Sequence, residues 1–292
     1  MDSIDTPEVL AAIPTAFDAD GRLDLDGCRS IIKYLSSSDV DGFFVAGTAG
    51  EFPALNRTER RLVAEVALET TPADKRVVLH VGAASAYEVL ALLDDARELG
   101  IRDVAVITPY FLPANRDSLR EFYRRVSEGS EGLRVYPYLY AALCGNSVDE
   151  DLLGEIAALP HLAGAKISGE SPRRVGRYVK ATPPGFDVYA GADQELVAML
   201  ASGARGIVSA MSACLPGPFT RLAAAAAAGS GDDLARWQLE VDDVCTVIAG
   251  SIARTKIALR LQGIAAGSPR MAVEMPNDAA ATEIERIVKL YA

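Results

Sequence analysis

The chain has 292 residues, of which half are hydrophobic and 24% are charged, and its formal net charge is −11. This length accommodates one large domain or two average ones, with a sizeable core in either case. The acidic balance argues against nucleic acid or an anionic membrane as the main partner, but it does not exclude a local basic pocket for a small anion.

The N-terminal segment and the cysteines bear on location. The first residues, "MDSIDTPEVLAAIP", lack a basic region followed by a long apolar core, and no apolar run along the chain is long enough to span a bilayer. Four cysteines lie far apart and match no zinc or disulfide spacing. We therefore expect reduced thiols that pack as small hydrophobic groups in a cytoplasmic protein.

Short β-branched segments alternate with helical patterns from the N-terminus onward. The eight strand candidates are "VLAAIPTAF", "DGFFVAG", "RVVLHVG", "DVAVITP", "LRVYPYLY", "LAGAKIS", "FDVYAG" and "GIVSA". A helical pattern follows each of them, and a helical tail from about 232 to 262 and a last short helix complete the chain. This order predicts an α/β fold, a (β/α)8 TIM barrel over residues 1–225, with a C-terminal helical extension over 226–292 that packs on the barrel. A doubly wound open sheet is the competing architecture.

One of the six lysines lies inside an apolar strand candidate. Lys166 is in "HLAGAKISGE" with no acidic residue adjacent, whereas the other five have polar neighbours and are expected to be solvated; they are Lys33, Lys75, Lys180, Lys256 and Lys289. Burying an unpaired ammonium is costly, so such a group tends to lose its proton. The resulting free amine can attack a carbonyl carbon and form an imine. The alternative is a lysine that reaches solvent or pairs with a distant carboxylate.

Three of the tyrosines on or after predicted strands are candidates for a role in catalysis. Tyr138 and Tyr140 are two residues apart on one strand, so both are expected on the same face, and Tyr110 ends the fourth strand. Buried tyrosines are usually core residues with a bonded hydroxyl. A tyrosine beside an imine-forming lysine could instead transfer protons, and this interpretation requires that Lys166 forms an imine.

The segment "AGTAGEFP" raises the question of a phosphate loop. It has neither the lysine of a Walker loop nor the spacing of a dinucleotide fingerprint. Its Thr48 hydroxyl and nearby N–H groups would suit a carboxylate, and a tight turn with glycines at positive φ is the alternative.

The remaining polar candidates are weaker. His80 and His161 neighbour neither each other nor a cysteine, so neither a metal site nor a Ser-His-Asp triad has support, and both are expected to be structural or solvated. Asp193, in "GADQE", could cap the next helix or contact a polar ligand.

Taken together, these segments resemble the dihydrodipicolinate synthase/N-acetylneuraminate lyase family of class I aldolases. The resemblance covers essentially the whole chain and rests, in order, on "IPTAFDADGRLD", "GTAGEFPALNRTER", "ITPYF", the tyrosine strand, "GAKISGE", "GAD" and "TKIALRLQG". Its most specific element is the interval of 28 residues between Tyr138 and Lys166, the spacing expected between the family's catalytic tyrosine and its Schiff-base lysine. Aligning "YLYAALCG" with a lyase-type "YNxPALSG" segment selects Tyr138 over Tyr140.

The resemblance implies a set of catalytic residues. Lys166 would form an iminium with pyruvate or a longer 2-oxo acid, so that neither a cofactor nor a metal is required. Tyr138 would carry the proton to or from the C4 hydroxyl of the substrate. Tyr110 matches a family position that can complete a proton relay from a neighbouring subunit, and a homodimer or homotetramer is expected.

It also implies a set of binding residues. Thr48 would hydrogen-bond the catalytic tyrosine or the substrate, and the backbone of Thr48, Ala49 and Gly50 would bind the carboxylate of the 2-oxo acid. Asp193 and Val208, on or after the last two predicted strands, are assigned to substrate binding as well.

Three departures from the family pattern narrow the substrate. Ala49 replaces a second hydroxyl residue of many members, Leu143 replaces the arginine of dihydrodipicolinate synthases, and Gln194 replaces a glutamate of sialic acid lyases. "GEFPAL" is closest to 4-hydroxy-2-oxoglutarate aldolases and related keto-acid aldolases. The resemblance thus favours an aldolase or lyase that releases or consumes pyruvate, with an aldehyde as its other substrate or product. A dehydratase of a 3-deoxy-2-oxo sugar acid, a dihydrodipicolinate synthase and a non-catalytic binding barrel are the alternatives.

Overall fold

A computed structural model describes residues 6–292 of the chain. Eight strands follow one another in chain order around a closed barrel, and the neighbouring strands whose register is defined are parallel. The strands are β1 (Glu8–Ala12), β2 (Gly42–Val45), β3 (Arg76–His80), β4 (Asp103–Ile107), β5 (Arg134–Leu139), β6 (Gly164–Ile167), β7 (Asp187–Ala190) and β8 (Gly206–Ser209). The predicted TIM barrel is confirmed, and closure excludes the open doubly wound sheet.

Helices separate the strands and form the C-terminal part. They are α1 (Leu25–Ser36), α2 (Arg57–Thr70), α3 (Ala86–Glu98), α4 (Arg116–Glu128), α5 (Ala141–Cys144), α6 (Glu150–Ala157), α7 (Pro172–Ala181), α8 (Leu196–Ala201), α9 (Pro216–Ala228), α10 (Gly231–Ile248), α11 (Ile252–Leu261) and α12 (Asp278–Tyr291). One-turn 3-10 helices span Phe52–Ala54 and Asp193–Glu195.

Three features of the helices go beyond the sequence prediction. The helical tail predicted over about 232–262 consists of two helices, because Ala249 and Gly250 adopt left-handed φ angles of 52° and 64° and the Ser251 side chain caps α11 at Arg254 N. The short α5, directly after β5, was not predicted, and α12 is longer than expected at 14 residues.

The chain divides into two compact units. One contains the residues up to Val77 and Val208–Ala292, and it includes β1, β2, β8 and the helices from α9 onward. The other is Val78–Ile207, with β3 to β7. The C-terminal helices thus belong to the same unit as β1, against which α9 packs. A separate extension beginning at residue 226 stays a prediction.

The strands are the most buried part of the chain. Val104, Ala105 and Val106 of β4 have no exposed side-chain surface, and four-residue β2 is buried throughout, as expected for strands that pack on both faces. The four cysteines are free and buried, which confirms their predicted packing role. In the part of the chain from residue 6 onward, no helix combines the length and apolar character needed to cross a membrane.

Candidate active site

The register of β5 and β6 brings together two of the predicted catalytic residues. Tyr138 and Lys166 are Cα partners on these neighbouring parallel strands, and directly paired residues project to the same face of a sheet. The Lys166 Nζ atom lies 4.1 Å from the centroid of the Tyr138 ring. The amine and the phenol ring are therefore in contact inside the unit formed by Val78–Ile207.

Lys166 is buried, with 6% of its surface exposed. Burial lowers the pKa of its amine from 10.5 to about 7, and the negative charge of Asp193 opposes this shift. Loss of hydration disfavours the charged ammonium, which is the general reason for such a shift. At neutral pH a large fraction of Lys166 is consequently an uncharged nucleophile.

Tyr138 is packed between two other aromatic rings. The His80 ring meets it edge to face, with 6.1 Å between the ring centroids, and the Tyr140 ring lies 6.2 Å away at a tilt of 37°. Tyr138 is 1% exposed and His80 is fully buried, whereas Tyr140 is half-buried. Burial excludes the solvated position that was one expectation for His80, and its place beside Tyr138 was not predicted. Its position as the last residue of β3 was the available signal, since active sites of these barrels lie at that end of the strands.

Asp193 and Tyr110 follow β7 and β4 within the same unit. Asp193 is 7% exposed and lies inside a 3-10 turn, whose N-cap is Ala192; it is therefore not the capping residue that one alternative suggested. Tyr110 is half-buried, and the next residue, Phe111, is 90% exposed with a left-handed φ of 79°. Residues 6–292 contain no group of three His, Cys, Asp or Glu side chains that could hold a metal ion.

The "AGTAGEFP" segment forms a tight turn in the other unit. Its left-handed residues are Ala46 and Glu51, with φ of 52° and 57°, so the expectation that its glycines adopt positive φ is wrong. Gly47 and Gly50 are required for space instead. A Cβ on Gly47 would lie 2.5 Å from the Phe44 ring, and one on Gly50 would lie 3.0 Å from the Ala46 Cα.

Hydrogen bonds close this turn but do not use two of its backbone N–H groups. The N–H of Glu51 donates to the Thr48 carbonyl at 3.0 Å, and the Thr15 hydroxyl donates to the Gly50 carbonyl at 2.8 Å. Among the described residues, the N–H groups of Ala49 and Gly50 donate to no protein acceptor. Adjacent free N–H groups of this kind can bind an anion.

The first unit also contains a charged pair that the sequence did not reveal. Lys256, which was expected to be solvated, is fully buried, and its Nζ lies 2.7 Å from the Glu51 carboxylate, which is fully buried too. That prediction is wrong because burial here depends on a partner 205 residues away along the chain. Val208, which was also predicted to bind the substrate, lies in β8 of this unit and is 4% exposed.

A closed (β/α)8 barrel with a buried lysine of low pKa against a tyrosine defines the class: the protein is a class I aldolase, a carbon–carbon lyase. A sequence model described as the dihydrodipicolinate synthetase family matches residues 5–290. The chain belongs to this family.

Individual relatives agree with the family match. A DapA-like lyase of Halobacterium salinarum is 31% identical over 90% of this chain and 86% of its own length. A 4-hydroxy-tetrahydrodipicolinate synthase of Methanothermobacter thermautotrophicus is 28% identical over 89% of this chain and 93% of its own. The structure of an N-acetylneuraminate lyase of Proteus mirabilis superposes with a TM-score of 0.89 at 27% identity and covers 97% of this chain and 98% of that one.

Proposed function

We propose that the protein is a Schiff-base-dependent aldolase or lyase that cleaves or forms a C–C bond of a 2-oxo acid, with pyruvate as product or donor. Its proposed substrate is of the 4-hydroxy-2-oxoglutarate or 2-keto-3-deoxy sugar acid type. The observation that carries the proposal is the Lys166 amine, buried with a pKa of about 7 and 4.1 Å from the Tyr138 ring.

In this proposal, Lys166 supplies the covalent chemistry and no cofactor takes part. Its free amine adds to the C2 carbonyl of the 2-oxo acid, and loss of water gives an iminium. When the C3–C4 bond breaks, its electron pair moves into the iminium and forms an enamine, while C4 leaves as an aldehyde. Protonation of the enamine at C3 and hydrolysis of the C=N bond then release pyruvate and regenerate the amine.

Tyr138 has the role of proton carrier. C–C cleavage requires removal of the proton from the C4 hydroxyl, and the reverse reaction requires its return. The contact between the Tyr138 ring and the Lys166 amine supports this assignment, because the C4 hydroxyl of a lysine-bound substrate lies only a few bonds from the iminium nitrogen. Tyr110 is proposed to complete the relay.

The carboxylate of the 2-oxo acid is assigned to the turn Thr48–Gly50. Its free N–H groups at Ala49 and Gly50 support this part of the proposal, since a carboxylate is stabilised by oriented backbone donors. Thr48 contributes its hydroxyl, either to the catalytic tyrosine or to the substrate. Asp193 and Val208 are proposed to contact the remainder of the substrate.

Three other functions use the same barrel. A dehydratase would expel water from the same lysine adduct, and the free amine of Lys166 supports it equally. A dihydrodipicolinate synthase, the activity named for one relative, is less well supported, because Leu143 is apolar and 57% exposed where that reaction calls for an arginine. A non-catalytic binding barrel would not need a lysine of lowered pKa.

Borohydride trapping tests the proposal. The protein is incubated with pyruvate and reduced, and the intact mass and the modified peptide are measured. An adduct at Lys166 is expected, and Lys166→Met should abolish it while the exposed Lys180→Met control should not. Absence of an adduct in the wild type would refute the imine mechanism. Scanning aldehydes and hydroxy-oxo acids for pyruvate release then separates the aldolase from the dehydratase.

We also propose a cytoplasmic homodimer or homotetramer. The strongly exposed Phe111 and Leu112, next to Tyr110, support an interface at this loop, because exposed large apolar side chains favour association. Light scattering after size-exclusion chromatography tests it, and a strictly monomeric wild type would refute it.

A further inference from the structure

The turn proposed to bind the carboxylate ends at Glu51, whose own carboxylate is fully used inside the protein. Its Oε1 atom lies 2.7 Å from Lys256 Nζ. Its Oε2 atom accepts hydrogen bonds from the backbone N–H groups of Arg270 and Met271 at 2.8 and 2.7 Å. Both partners of the ion pair have 0% exposed side chains. A charge buried this deeply is tolerated only when it is paired and hydrogen-bonded, and both conditions are met.

The cationic side of this pair belongs to the C-terminal part of the unit. Lys256 lies on α11, donates a second hydrogen bond to the Ser268 carbonyl at 3.0 Å, and stands 4.6 Å from the centroid of the Phe17 ring. The Arg270 guanidinium contacts the same ring at 4.1 Å and binds both carboxylate oxygens of Glu59. The end of the turn and the start of α2 are thus attached to the segment 256–271 by two ion pairs, at Glu51 and at Glu59.

The backbone of the turn needs such an attachment. Ala46 and Glu51, at its two ends, have left-handed φ angles, which are unfavourable for residues with a Cβ. Strained backbone of this kind persists only where surrounding contacts hold it in place. The Thr15 hydroxyl holds the Gly50 carbonyl, and the side chain of Glu51 holds the end of the turn.

We infer that the buried Glu51–Lys256 pair is the positioning device of the carboxylate site: it fixes the turn so that the N–H groups of Ala49 and Gly50 point at the bound carboxylate. This inference rests on the proposed function of the turn. Neither side chain touches the substrate; both act through the backbone, and helix α11 thereby sets the affinity for 2-oxo acids.

The test uses variants that keep the shape of the pair but remove its charges. Glu51→Gln with Lys256→Met leaves no uncompensated buried charge, and exchanges of this kind preserve folding where single removals are strongly destabilising. The readout is the pyruvate concentration for half-maximal borohydride trapping, compared with trapping by acetone, a ketone without a carboxylate. We expect the half-maximal pyruvate concentration to rise roughly 10- to 100-fold, with the acetone rate near that of the wild type.

Arg286→Met is the matched control. It breaks the Arg286–Asp243 ion pair between α10 and α12, in the same unit but outside the network, and it should leave half-maximal pyruvate unchanged. Glu51→Gln with Lys256→Gln, a second neutral pair that retains an acceptor for the Arg270 N–H, supplies the measurement if the first double variant does not fold. An unchanged half-maximal pyruvate concentration in a folded variant, even one with a lower melting temperature, would overturn the inference. An equal loss of trapping with acetone and with pyruvate would overturn it as well. A wild type that never traps pyruvate would refute the proposed function instead.

Discussion

The pH dependence of imine formation is the sharpest consequence of the Lys166 environment. Burial lowers the pKa of the amine from 10.5 to about 7. At pH 7 about half of Lys166 is then free base, compared with about one molecule in 3,000 at the ordinary pKa. If attack by the free amine limits the rate, burial increases the reactive fraction by roughly three orders of magnitude.

Single-turnover trapping across the pH range measures this directly. The protein reacts with saturating pyruvate for timed intervals between about pH 5 and 9.5 and is then quenched into borohydride at one fixed pH. The rate should rise with pH as the ammonium loses its proton, with its midpoint near 7, and it should be flat well above that value.

Asp193 provides a second, independent perturbation. Its negative charge raises the pKa of Lys166 against the effect of burial, so Asp193→Asn should move the midpoint to lower pH. Glu195→Gln is the control, because Glu195 lies in the same 3-10 turn but is exposed, and it should leave the midpoint unchanged. A midpoint near the ordinary lysine value, or one that Asp193→Asn leaves in place, would refute the reasoning.

Two further predictions concern Lys166 and Tyr138. Lys166→Met should stabilise the fold at neutral pH. Between the folded-state pKa of about 7 and the ordinary value of 10.5, the unfolded state binds more protons than the folded state, so burial of Lys166 lowers the free energy of unfolding. This loss of stability is nearly complete at pH 7, at about 4 kcal/mol, and falls below about 1 kcal/mol at pH 10. Urea unfolding at both pH values checks this, with Lys180→Met as the control, and an equal effect at both would contradict it. Tyr138→Phe should retain trapping at Lys166 but lower turnover roughly 10²- to 10⁴-fold, as measured by steady-state pyruvate release, and full turnover would remove Tyr138 from the mechanism.

The sequence pattern was sufficient for the barrel, whereas the pairing of Lys166 with Tyr138 was predicted from the family resemblance. Strands buried on both faces appear as continuous apolar runs, and the alternation with helices determines their order. A lysine in such a run is either buried or reaches solvent at the strand end, and the sequence left both open for Lys166. The register of β5 and β6 places Tyr138 beside Lys166, but periodicity alone did not distinguish Tyr138 from Tyr140, and the family resemblance made that choice.

The remaining features depend on contacts that have no local signature. The break between α10 and α11 occurs at Ala249, a residue that favours helix and gives no warning of a left-handed φ of 52°. Lys256 has the ordinary surroundings of a surface lysine in the sequence, yet its partner Glu51 is 205 positions away. His80 lies beside Tyr138 only because β3 ends where it does. Each of these depends on tertiary structure, which periodicity does not encode.

The two buried lysines show how one residue type serves two purposes. Lys256 is held at 2.7 Å from a fully buried carboxylate, and its charge is used to hold a strained turn. For Lys166 burial outweighs the charge of Asp193, and its pKa falls to about 7. Burial lowers the pKa of Lys256 too, but there the hydrogen bond and negative charge of Glu51 oppose the effect of burial, whereas Lys166 has only the charge of Asp193 against it and becomes a nucleophile. In the proposed function a firmly held carboxylate-binding turn complements this nucleophile, because a reactive amine without an oriented 2-oxo acid gains little in rate.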